Sequence, residues 1–270
     1  MTSSGRIASA FAAARRSAAG ATGLIPYITA GHPTLDDSLA MLRAFARLGV
    51  RAVEIGIPFS DPIADGPEIQ RASEAALAAG VGAREALALV ARLRRESELP
   101  TIVMTYANPA LAGGIAAFAR EARTSGVDAV LLSDLPPDES PEVWAALDAE
   151  GLDTVMLVAP TTAPDRLPRI VARARGFVYC LARTGVTGAG AGESGDVTER
   201  IAAVRRLTPL PVAIGFGISN AEQARRMKGA ADAIVVGAAF MRAVSEDPGQ
   251  GAVARVERLA ASLLEACGVS

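Results

Sequence analysis

VEIGIPFSDPIADGP, residues 53–67, joins a short β-branched apolar run to a loop broken by prolines that carries Asp61 and Asp65. Val53, Ile55 and Ile57, with Ala52 ahead of them, read as a strand buried on both faces, as in parallel sheets covered by helices. Glu54 breaks that run. A carboxylate there is either a proton carrier whose pKa burial raises, or one half of a salt bridge with a nearby arginine. The stretch by itself leaves both readings open.

Working outward, similar apolar runs recur along the chain: LIPYITA (24–30), RAVEIGIP (51–58), TIVMTYA (101–107), DAVLLSD (128–134), DTVMLVAP (153–160), GFVYCLA (176–182), PVAIGFG (211–217) and ADAIVVGAA (231–239). Between them, apolar side chains fall at helical spacing, for example Leu35, Leu39, Leu42 and Phe45, or Leu87, Val90 and Leu93. This alternation predicts an α/β fold, a single (β/α)8 barrel spanning residues 1–270. The N-terminal stretch, with Arg6, Arg15 and Arg16 among alanines, reads as an extra amphipathic helix and not a signal peptide.

Composition narrows the function. The 27 Lys and Arg are interspersed with 29 Asp and Glu, so no basic footprint for nucleic acid or an anionic membrane is present. No uninterrupted apolar run approaches the ~18 residues of a membrane span. Cys180 and Cys267 lie far apart, and with the lone His32 they form no transition-metal set, so no metal and no disulfide are expected and a cytoplasmic setting is the default. A small-molecule site is the expected target.

In barrels the reacting groups sit where strands end and loops toward helices begin. Those places hold Thr29, Glu54 with its proline-rich loop, Tyr106 to Asn108, and Ser133 with Asp134. Asp134 reads as a catalytic accessory or as an anchor for the turn PPDES. The glycine-rich stretch RTGVTGAGAGESGD, residues 183–196, reads as a lid. IGFGIS (214–219) and VVGAAF (235–240) each put glycine between a strand and a helix, where backbone N–H groups and the helix dipole suit an anion. Gly188, Gly217 and Gly237 are thus expected to share one phosphate.

Taken together, LIPYITAGHPT, VEIGIPFSDPIADGP, MTYANP, TGVTGA and IGFGIS, in this order, resemble the alpha subunit of tryptophan synthase along essentially the whole chain. The resemblance implies a barrel lyase of tryptophan biosynthesis that cleaves indole-3-glycerol phosphate to indole and D-glyceraldehyde 3-phosphate. It implies no cofactor in this chain, and as partner a beta subunit that carries pyridoxal phosphate, in an alpha2-beta2 assembly. Carried over residue by residue, it makes Glu54 the acid–base group and Asp65 the second catalytic carboxylate, with Tyr179 and Thr187 in support. The phosphate positions fall on Gly188, Gly217, Gly237 and Ala238, and the indole pocket on Tyr27, Met104, Leu131, Leu157 and Phe216. Asp61 is left as a loop or partner-interface residue.

Two positions depart from the family pattern: Ala238, where serine is usual, and His32, where aspartate is common. The missing hydroxyl removes a hydrogen bond to a charged group, worth roughly 1.5–3 kcal/mol. Two alternatives share these motifs: a stand-alone indole-3-glycerol-phosphate lyase, and a weakly catalytic subunit that mainly activates a beta partner.

Overall fold

The computed structural model describes residues 5–17, 21–182, 194–215, 217–246 and 251–269. Nine parallel strands follow in chain order: β1 Gly23–Thr29, β2 Val53–Gly56, β3 Thr101–Thr105, β4 Ala129–Leu132, β5 Asp153–Thr154, β6 Met156–Val158, β7 Val178–Leu181, β8 Val212–Gly215 and β9 Ala233–Val236. Their spatial order is β5-β4-β3-β2-β1-β9-β8-β7-β6. The two outermost strands are separated only by Val155, whose N–H donates to Val130 O at 3.1 Å and prolongs the ladder with β4. They are one physical strand, pairing with β4 through its first half and with β7 through its second. The sheet therefore returns on itself as the expected eight-stranded barrel, with the fifth apolar run serving as the seam.

The two faces of the sheet build two cores. Outward side chains meet the surrounding helices, where the spacing read from the sequence is observed: Leu39, Leu42 and Phe45 are buried in Leu35–Leu48, and Leu87, Val90 and Leu93 in Ala83–Arg94. Thr34 starts the first of these helices by accepting the Asp37 N–H at 3.1 Å. Inward side chains fill the barrel with Ile25, Ala52, Ile102, Ala129, Val155, Phe177, Ala213 and Ala233.

The N-terminal helix, Gly5–Ser17, belongs to that inner core. It contributes Ile7 and Phe11, which are 1% and 3% exposed, and Phe11 lies 6.0 Å from Phe177 between ring centroids. Arg51 ties the helix down by donating to Ala10 O at 2.9 Å, and Arg6 pairs with the buried Asp128 at 2.8 Å. The extra helix is thus a plug across the N-terminal mouth, which leaves the opposite mouth for chemistry.

Because side chains alternate along a strand, the inward positions two residues beyond that floor form the next layer. They are Tyr27, Glu54, Met104, Leu131, Leu157, Tyr179, Gly215 and Val235. Two glycines make room for the two tyrosines. A Cβ on Gly215 would fall 2.6 Å from Cζ of Tyr179, and one on Gly56 would fall 2.6 Å from Cζ of Tyr27. We expect Gly215→Ala to cost about 1–3 kcal/mol in urea unfolding through this overlap, and Tyr179→Leu to relieve part of that loss in the double variant. An unchanged midpoint would show that the ring is free to move aside.

Candidate active site

Glu54 lies inside β2 and not at its end, since the strand runs on to Gly56 and the Ile57 N–H still donates to Met104 O at 2.9 Å. Its side chain nevertheless lines the cavity at the open mouth, and it lies opposite Tyr27 in the parallel register. It is 3% exposed, and no hydrogen-bond or ion-pair partner for its carboxyl is found among the described residues. The salt-bridge reading is therefore not what the structure supports. Burial, with a smaller contribution from nearby Asp65, pushes its pKa from 4.5 up to about 8.

Asp65 reaches the same space from the loop after β2. It sits just ahead of Gly66, the N-cap of the helix Pro67–Ala78, and the turn is held by Asp65 N–H to Pro62 O at 3.0 Å and by Gln70 Nε2 to Asp65 O at 2.9 Å. One carboxylate oxygen, Oδ2, accepts from the Tyr106 hydroxyl at 3.0 Å, while that same hydroxyl accepts the Ala64 N–H at 3.0 Å. The other oxygen, Oδ1, is buried with no partner among the described residues. Burial raises the Asp65 pKa from 3.8 to about 6, against the lowering pull of the Tyr106 bond. The nearby helix N-terminus also favours the charged form.

Both carboxylates face a cavity of about 620 Å³ at the open mouth, walled by Tyr27, Met104, Leu131, Leu157 and Tyr179 and closed at one end by Gly217, Gly237 and Ala238. Burial, with Glu54 and Asp65 close by, holds the Tyr27 and Tyr179 hydroxyls well above the ordinary phenol pKa, so both rings stay neutral. Gly217 has φ +96°, which excludes other residues without strain, and space lies open where its Cβ would be. Gly237 precedes the helix Ala238–Ser245, whose first N–H groups have no partner within the helix. Ten of the thirteen site residues expected from the sequence are thus gathered round one space, while Thr187, Gly188, Phe216 and residues 183–193 of the expected lid lie outside the described residues.

Other expectations fall elsewhere. The Asp134 carboxylate accepts the Ala107 N–H at 2.8 Å and so holds the start of the short helix Ala107–Leu111 after β3, not the PPDES turn that follows it. Asp61 is exposed and accepts from Ser60, away from the main cavity. His32 is buried on the loop after β1, where Nε2 meets Ser245 Oγ at 3.2 Å and burial lowers its pKa. No group of three or more His, Cys, Asp and Glu suited to a metal is found among the described residues.

Two residues of the site escaped sequence reading as functional groups. Tyr106 was visible only as a strand-end residue, and its partner lies 41 positions away. Arg242 lines the cavity one helical turn beyond Ala238, a cation at a spacing that could have flagged it.

The unusual state of Glu54 has a thermodynamic consequence. The folded pKa of about 8 exceeds the ordinary 4.5, so as pH rises the unfolded chain gives up this proton before the folded one does. Its contribution to stability is complete below the ordinary value and is lost as pH climbs toward 8. Glu54→Gln, which keeps the shape without the titration, is therefore expected to be more stable than the parent at pH 8.5, by on the order of a few kcal/mol, and nearly equal to it at pH 4.5. Denaturant unfolding at the two pH values checks this; equal curves at both would mean that the carboxylate ionises freely in the fold. A second check is Tyr106→Phe, which should move the Asp65 titration upward.

The comparisons agree with this geometry. The family described as tryptophan synthase alpha chain matches residues 11–267. The chain is 46% identical over 259 residues to the tryptophan synthase alpha chain of Chromobacterium violaceum, covering 96% of this chain and 97% of the relative. That of Laribacter hongkongensis is 46% identical over 250 residues, with 92% and 94% covered. Among solved structures, tryptophan synthase subunit alpha from Legionella pneumophila str. Paris superposes with TM-score 0.88 at 32% identity, covering 99% of both chains. A structure of Mycobacterium tuberculosis tryptophan synthase gives TM-score 0.88 at 36% identity and 97% of both chains. With its barrel, its cavity and its paired carboxylates, the chain belongs to the tryptophan synthase alpha chain family.

Proposed function

We propose that this chain, as one barrel domain, cleaves indole-3-glycerol phosphate to indole and D-glyceraldehyde 3-phosphate, the alpha reaction of tryptophan synthase. The single observation carrying this reading is the pairing, in one apolar cavity, of a buried Glu54 that holds its proton to about pH 8 with an Asp65 whose Oδ1 has no partner among the described residues.

The reaction is a retro-aldol cleavage. Protonated Glu54 gives its proton to indole C3, which places positive charge on the ring nitrogen. Ionised Asp65 accepts the ring N–H through Oδ1 and stabilises that charge, while Tyr106 holds Oδ2 and fixes its aim. The Glu54 carboxylate then takes the proton of the adjacent side-chain hydroxyl. The O–H electron pair becomes the aldehyde C=O, the C–C pair returns to the ring, and Glu54 ends protonated as it began. Tyr27, Met104, Leu131 and Leu157 supply an apolar wall for indole, and Gly217, Gly237 and Ala238 supply backbone donors to the phosphate.

No cofactor is needed for these steps. Pyridoxal phosphate belongs in this reading to a beta subunit that receives the indole, in an alpha2-beta2 assembly in the cytoplasm. A subunit that only activated such a partner would have no use for both carboxylates in an apolar cavity.

Turnover of indole-3-glycerol phosphate by the purified chain, with and without a beta subunit, tests the proposal. Glu54→Gln should lower kcat by about 10²–10⁴-fold, and Asp65→Asn by about 10²–10³-fold. Activity needs Asp65 ionised and Glu54 protonated, so kcat/KM should rise with pH through about 6 and fall through about 8. Near-parental turnover by Glu54→Gln would sink the assignment.

A further inference from the structure

The cavity takes in two carboxylates, Glu54 and Asp65, but among the described residues that line it there is a single cation, Arg242. A phosphate ester entering beside an ionised Asp65 meets like charge, and backbone N–H groups offer only about half a positive charge per helix end. Ala238 adds no hydroxyl. Arg242 stands four positions beyond Ala238 in the helix Ala238–Ser245, on the same face as the glycine-led N-terminus.

Its present contact is loose. Nε lies 3.6 Å from Glu68 Oε1, beyond hydrogen-bond range, and the side chain is 55% exposed, so it is free to re-aim. Glu68 has a second and closer partner, Arg71, at 2.6 Å, so departure of Arg242 leaves no unpaired carboxylate. We propose that Arg242 is a substrate-binding residue that leaves Glu68 to clasp the phosphate of the substrate, supplying the charge and the hydrogen bonds that the glycine cradle and Ala238 lack. The inference deepens the phosphate-ester reading of the site and rests on it. A planar guanidinium suits a phosphate because it donates two parallel hydrogen bonds.

The experiment compares Arg242→Gln, Arg242→Lys and Glu68→Gln with the parent chain. Two readouts are used: titration with glycerol 3-phosphate, and kinetics on indole-3-glycerol phosphate and on indoleglycerol, which lacks the phosphate. Arg242→Gln is expected to weaken glycerol 3-phosphate about tenfold to a hundredfold and to raise KM for the phosphorylated substrate similarly. Its kcat should change far less, and KM for indoleglycerol should not change. Arg242→Lys should retain part of the affinity, and Glu68→Gln should match or exceed the parent. The proposal is overturned if Arg242→Gln binds glycerol 3-phosphate within twofold of the parent, or if Glu68→Gln reproduces the loss, which would make the ion pair merely structural. A parent chain inactive on indole-3-glycerol phosphate whose glycerol 3-phosphate affinity still depends on Arg242 would overturn the lyase reading and keep this one.

Discussion

The site depends on the dry interior of a closed parallel barrel. Eight strands with apolar side chains on both faces surround the inward positions with apolar groups, and the N-terminal plug of Ile7 and Phe11 seals one mouth. A glutamate set into that interior without a cationic partner must either be protonated or destabilise the fold. Glu54 takes the first course, and the proton it keeps is the one the proposed reaction would use. Desolvation, more than any specific contact, makes an ordinary carboxyl group a proton donor near neutral pH.

The second carboxylate needs the opposite treatment, and its loop provides it. Asp65 is also buried, but Tyr106 donates to one of its oxygens and a helix begins immediately after it. Its pKa of about 6 stays below that of Glu54 at about 8, which leaves a window near neutrality where one is charged and the other is not. The two groups reinforce this asymmetry, because charge on Asp65 helps to keep the proton on Glu54. The arrangement trades stability for chemistry, as buried functional groups commonly do.

Much of this was legible in the sequence because it follows from period and punctuation. Glu54 stood out as a charge in a β-branched run, and the strand period of two places it in one layer with Tyr27, Met104, Leu131, Leu157 and Tyr179. The helical stripes and the strand-end glycines at 217 and 237 were equally local signals. What escaped depends on contacts between distant segments. Nothing near Tyr106 announces Asp65, and the Asp134 carboxylate turned out to hold a helix start 27 residues behind it and not the turn ahead. The seam of the barrel is similar: a single apolar run, 153–160, reads as one strand, yet its halves serve different neighbours.

Direct titration of the two carboxyl groups addresses the central claim, that burial keeps Glu54 protonated while Asp65 is charged. With the side-chain carboxyl carbons labelled with carbon-13, the Glu54 resonance should remain that of a protonated acid at pH 7 and titrate near 8, with Asp65 titrating near 6. Site-specific loss of each signal in Glu54→Gln and Asp65→Asn secures the assignments. Titration of Glu54 at the ordinary glutamate value of 4.5 would contradict the account.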